Sequence, residues 1–117
     1  NETVLAFVGD SAEFIDPDKA TATLAELAST IMDNHGATVL VEGYTAASPA
    51  FSSDELVDLS QRRAEAVREA LVAAGVSPGF IEAIGHGDEG ATSMDTGVFS
   101  ESAAKNDRRV VVTLSLA

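Results

Sequence analysis

The order of apolar runs along this 117-residue chain predicts an α/β (α+β) two-layer sandwich with the element order β-α-β-α-β-loop-β. Three observations carry that expectation. Four short apolar runs alternate with two longer stretches of helical period, and both helical stretches bring their own start and stop signals. The chain is 45% apolar and has no cysteine, so one buried core has to hold it, and a single domain over residues 1–117 is expected.

Val4-Leu5-Ala6-Phe7-Val8, closed by Gly9-Asp10-Ser11, reads as the first strand. Asp16-Pro17-Asp18 then opens a helix, because Asp16 can accept from the orphan amides and Pro17 suits the first helical position. Leu24, Leu27, Ala28 and Ile31 lie on one face of it, and Asn34-His35-Gly36 ends it. Val39-Leu40-Val41 has the continuous apolar character of a central strand covered on both faces. It runs through Glu42-Gly43-Tyr44-Thr45 into a small, polar loop with Pro49. Ser52 and Glu55 form a capping-box pattern for a second helix over about 54–74, with Leu56, Leu59, Val67, Ala70, Leu71 and Ala74 along one stripe and a stop at Gly75. Phe80–Ile84 is a weaker third strand, broken by Gly85-His86-Gly87. Residues 88–106 have no period and form a long loop, with one short helix placed near Glu101–Lys105. Arg108-Arg109 opens the last strand, Val110–Leu116.

Composition narrows the function. Nineteen acidic against seven basic residues give a net charge of −12, which argues against a nucleic-acid partner, since phosphate binding needs a concentrated basic surface. The longest apolar run, Val110–Leu114, is far short of the roughly 20 residues that span a bilayer, so this segment is not expected to insert directly into a membrane. No targeting signal opens the chain, and its start at Asn1 suggests a processed protein or an excised domain. Thiol catalysis, thiolate metal sites and disulfides are excluded. Asp16-x-Asp18 and Asp88-Glu89 lack the alternating oxygen-ligand spacing of a calcium loop, and neither His35 nor His86 has the spacing of a catalytic motif. No nucleophile elbow or phosphate-cradling loop occurs. No enzyme, metal or cofactor is therefore expected.

Arg63 is the most informative residue. It lies four after Leu59 and four before Val67, so it falls on or beside the core-facing stripe, where an unpaired guanidinium would be very costly. Either it pairs with a structural carboxylate such as Glu42 or Asp58, or it is a fixed fork for a ligand carboxylate.

Leu59-Ser60-Gln61-Arg62-Arg63-Ala64-Glu65-Ala66-Val67, continuing to Leu71, resembles the L-S-x-x-R-A-x-x-V helix of the OmpA-like peptidoglycan-binding domain. Val41-Glu42-Gly43-Tyr44-Thr45 is similar to that family's I-E-G-H/Y-T-D strand end. Phe7, Ser11, Ala12 and Phe14 resemble its first strand and loop. Gly75-Val76, Gly85-His86-Gly87-Asp88-Glu89 and Asp107-Arg108-Arg109-Val110 resemble its later G-[IV], G-x-G-E and N-R-R-V positions. The match runs over essentially the whole chain in the right order. It implies a mixed four-stranded sheet and non-covalent binding of peptidoglycan through the diaminopimelate of its stem peptide. It also implies a bacterial cell-envelope protein, periplasmic or extracytoplasmic, of the kind that tethers membrane-anchored or outer-membrane partners to the wall. Arg63 matches the family's carboxylate-binding Arg, and Asp10, Tyr44, Thr45, Asp58 and Arg109 complete the expected ligand-binding set.

The family Asp that holds the ligand ammonium is Ala46 here, the Asn before L-S is Leu56, and the loop between Ala46 and Ser60 is about two residues longer. Asp54 or Asp58 on that longer loop could supply the missing carboxylate. The alternative is a degenerate scaffold that serves protein–protein contact or self-association as a homo-oligomer. The net charge of −12 repels a carboxylate-bearing ligand only within about 8 Å at physiological salt, so binding would rest on the local cation Arg63.

Overall fold

The structure, a computed structural model, describes residues 2–7, 12–34, 36–47, 51–91 and 107–115. It is α+β, with a mixed four-stranded sheet and two helices. Strand β1 (Glu2–Ala6) is followed by helix α1 (Pro17–Met32), β2 (Thr38–Gly43), helix α2 (Ser53–Ala73), a single 3-10 turn (Pro78–Phe80), β3 (Ile81–Gly85) and β4 (Arg109–Ser115). The sheet order is β1-β4-β2-β3; β4 runs antiparallel to both its neighbours, while β2 and β3 are parallel.

Both helices begin as their capping residues dictate. Asp16 is extended and its carboxylate accepts from the Lys19 amide at 3.1 Å, with Pro17 at the first helical position. Ser52 accepts from the Glu55 amide at 3.2 Å while Glu55 accepts from the Ser52 amide at 2.9 Å, closing the capping box. α2 ends in a Schellman pattern, with the Val76 amide bonded to Leu71 O, the Gly75 amide to Val72 O, and Gly75 left-handed at φ +113°.

The core lies between the helices and one face of the sheet. Leu5, Val39, Val41, Val110, Val112 and Leu114 point inward against Leu24, Ala28, Ile31, Val67 and Leu71. Full burial of one such side chain contributes about 1.5–3 kcal/mol. β2 departs from the expected two-sided cover. Val39 and Val41 are buried, but Leu40 and Glu42 are only half-buried, because among the described residues both helices pack on the same face and no element covers the other. The three-residue run Val39-Leu40-Val41 was too short to separate these cases by period. β1 begins two residues earlier than its apolar run suggests, because its ladder with β4 already pairs Glu2 with Thr113. Phe80 belongs to the 3-10 turn and is half-exposed, so β3 starts one residue later. Of the expected 88–106 loop, 88–91 continue the turn, and the rest, with the stretch near 101–105 where a short helix is expected, lies outside the described residues.

One approach between layers is unusually close. A methyl at Gly43 would overlap the Ser60 carbonyl oxygen, and one at Gly85 would overlap the Gln61 amide. The Ser60 hydroxyl accepts from the Gly87 amide at 2.8 Å, and the Gln61 side chain bonds both Ala83 O and the Gly85 amide. The middle of α2 is thus seated directly on the ends of β2 and β3, and Arg63 follows one turn later.

Candidate functional site

The ends of β2 and β3, the start of β4 and the central turns of α2 converge at one end of the sheet. Arg63 is fully buried there, at 0% relative exposure. Its Nη1 donates to the Tyr44 carbonyl at 2.9 Å, and its guanidinium carbon lies 5.6 Å from the centre of the Phe7 ring. Phe7 in turn packs on Phe14 at 4.7 Å. The two carboxylates considered for it have other hydrogen-bond partners. Glu42 bonds His86 at 2.8 Å, and Asp58 bonds Arg62 at 3.1 Å on the exposed side of α2.

Tyr44 connects the two faces of the sheet. Its carbonyl turns to Arg63, while its ring lies on the open face with Arg109 4.9 Å over it and His86 stacked at 5.1 Å. His86 is bracketed by Glu42 at 2.8 Å and Glu89 at 3.8 Å. Burial, and next the neighbouring Glu42 carboxylate, raise the Tyr44 phenol above its ordinary pKa, with Arg109 pulling the other way. The phenol therefore keeps its proton to higher pH than a free one.

Thr45 is buried, and its hydroxyl oxygen has no hydrogen-bond partner among the described residues. Ala46 is 3% exposed. A carboxylate at that position would have to be desolvated, at a cost met only by a cationic partner. Leu56 is also buried. Asp58 is brought elsewhere: with Phe51, Asp54, Leu59 and Arg62 it lines a separate groove of about 310 Å³ along the first turns of α2. Asp10 and His35 lie outside the described residues. Arg63, Tyr44, Thr45 and Arg109 are therefore brought to one end of the sheet; Arg63 and Arg109 approach Tyr44 from opposite faces, and Asp58 stands apart.

Two residues quoted for the resemblance, but not for the ligand-binding set, lie here. Asp107 and Arg108 are both buried, at 1% and 5% exposure, and the Arg108 carbonyl accepts from the Phe7 amide at 2.7 Å. Strand alternation held the signal: of two consecutive arginines at a strand start, one must turn inward. The inward one is Arg108. Among the described residues, no group of three acidic or His side chains is placed to hold a metal ion, and no helix is long and apolar enough to cross a membrane.

A mixed sheet in the order β1-β4-β2-β3, with two helices on one face, defines this as a protein of the OmpA-like fold class. The OmpA family model matches residues 6–107, and the chain belongs to that family. Solved structures agree. The peptidoglycan-associated lipoprotein of Burkholderia pseudomallei is 27% identical, with a TM-score of 0.78 over 96% of this chain and 89% of that one. The C-terminal domain of Helicobacter pylori MotB shares the fold at 18% identity and a TM-score of 0.75, over 98% of this chain and 85% of that one. The OmpA-like domain of FopA1 from Francisella tularensis does so at 18% identity and 0.71, over 98% and 72%. No curated protein sequence matches the chain.

Proposed function

We propose that this chain is a single non-enzymatic domain that binds peptidoglycan non-covalently through the peptide stem, in the cell envelope and without a cofactor. The observation that carries the reading is Arg63, a buried guanidinium held at the C-terminal end of β2 in a fold shared with a peptidoglycan-associated lipoprotein. A fork-shaped cation fixed on a rigid helix suits a ligand carboxylate, and its long-range field is screened little by water. Tyr44 and Thr45 lie at the same strand end, with Arg109 on the far side of the Tyr44 ring, and among the described residues Thr45 keeps a spare buried hydroxyl for a ligand donor or acceptor. Asp10 completes the proposed ligand set, and Asp58 would join it only by leaving Arg62.

The test is co-sedimentation with purified diaminopimelate-type cell wall. The wild-type chain should pellet with the wall, and Arg63→Ala should stay in the supernatant. If both stay in the supernatant, the reading fails. Ala46→Asp should lower stability and strengthen wall binding, because it buries an acid at a point where a ligand ammonium could neutralise it.

A second reading is supported by the same end of the sheet. Ala46 and Leu56 are buried apolar residues, and Arg63 has no solvent exposure, which suits a scaffold that has given up its ligand clamp for contact with protein or with itself. Sedimentation velocity separates the two. A monomer that pellets with wall speaks for the first, and a dimer indifferent to wall speaks for the second.

A further inference from the structure

We infer that the outer edge of β1, with the groove beneath it, is a docking site for an extended segment of a partner protein whose residues alternate apolar and basic. The two edges of the sheet are treated differently. β3's outward groups are capped from α2: Arg68 donates to Ile81 O at 3.3 Å, and Gln61 bonds Ala83 O at 3.1 Å and the Gly85 amide at 2.7 Å. Such side-chain cover blunts an edge against pairing. β1 lacks it. The Phe7 amide bonds Arg108 O, so by antiparallel alternation Leu5 and Thr3 also face β4, while Glu2, Val4 and Ala6 turn their main-chain groups outward. Ala6 O is met by the Ile15 amide at 3.2 Å; among the described residues nothing pairs with the Val4 amide or carbonyl.

Beside this edge lies a groove of about 620 Å³ between β1 and α1, lined by Leu5, Phe14, Ile15, Pro17, Ala20 and Thr23. Val4, on the open face above it, is 51% exposed. A strand added antiparallel to β1 would place the residue opposite Val4 on the open face and its two neighbours over the groove. Apolar side chains fit the groove. Basic ones fit the open face, because Glu2 stands on that face at the end of β1 away from Arg109, which pairs with Ala6. A second copy of this chain is the poorer occupant, since two molecules of charge −12 would bring acidic rims together.

The test uses the labelled chain and the acetylated, amidated peptide Val-Lys-Val-Lys-Val, followed by amide resonances. Shifts should be confined to Glu2–Phe7 and Phe14–Thr23, and exchange of the Val4 amide should slow about tenfold or more on binding. Val4→Pro, tolerable at an outward edge position, and Thr23→Lys, which fills the groove, should each weaken binding about tenfold or more. Peptides Val-Glu-Val-Glu-Val and Gly-Lys-Gly-Lys-Gly should bind at least about tenfold more weakly than the first, the one through charge and the other through lost groove contacts. If Val4→Pro fails to fold by circular dichroism, Thr23→Lys decides. Shifts centred on Tyr44 and Arg63, equal affinity of the variants or of the glycine peptide, or dimerisation of the chain through β1 would each overturn the proposal. None of these readouts depends on cell-wall binding.

Discussion

Arg63 on the second helix holds the end of the central strand, its Nη1 donating to the Tyr44 main-chain carbonyl at 2.9 Å. A cation otherwise expensive to bury is thereby built into the framework that positions the loop after β2. The same bond ties any ligand role of Arg63 to the fold itself. Arg63→Ala should therefore lose stability as well as binding. Leaving the buried Tyr44 carbonyl without its donor should cost about 1–3 kcal/mol in urea unfolding. Arg63→Lys should recover part of the stability and little of the wall binding, since an ammonium lacks the fork. Equal recovery of both would show that only charge matters.

Gly43 is required by the approach of α2. Gly43→Ala drives a methyl into the Ser60 carbonyl oxygen, and overpacking of this kind costs about 1–3 kcal/mol or more. Gly79→Ala is the control, because none of the described residues lies within 4 Å of the added methyl; it should change stability by no more than about 0.5 kcal/mol. Similar midpoints for the two variants would contradict the packing account.

Tyr44 is the chain's only tyrosine, and there is no tryptophan, so its ionisation can be read directly from tyrosinate absorbance. Burial raises the phenol's pKa in the folded state, so the folded chain keeps this proton to higher pH than the unfolded chain does. The corresponding stability is fully present below the unfolded value of about 10 and is lost as pH climbs through the folded one. The absorbance should rise later than in urea-unfolded protein, and the alkaline loss of stability should flatten in Tyr44→Phe. A folded-state titration at or below the unfolded one would refute this.

The capping box at the start of α2 should be separable from the site. Ser52→Ala removes the acceptor of the Glu55 amide and should cost about 1 kcal/mol. Wall binding should remain as in the wild-type chain, because Ser52 lies about three turns before Arg63.

Much of the fold could be read directly because its signals are local. Asp16 with Pro17, Ser52 with Glu55, and Gly75 each act within a single helical turn, and each stands where the sequence reading places it. The burial of Arg63 was legible for the same reason, since its four-residue offsets from Leu59 and Val67 assign its face. The resemblance of the L-S-x-x-R-A helix supplied the sheet's mixed character, which no local period contains.

What no local pattern carries is which groups meet across elements. Gly43 and Gly85 read as ordinary strand-end glycines until α2 is laid over them, when the Ser60 and Gln61 backbone excludes a side chain at both. Arg108 and Arg109 are indistinguishable in composition, yet strand alternation sends one into the interior and the other over Tyr44. Asp58 sits one helical turn from Arg62, so it pairs along the surface of α2 instead of reaching the end of β2. From its amino acids alone this chain specified its described helices and strands, their order and the burial of Arg63. The partners of Arg63, the stretch of β1 edge at Val4 left unpaired among the described residues, and the burial at Ala46 came from packing, because contacts between residues far apart in sequence exist only once the layers have closed.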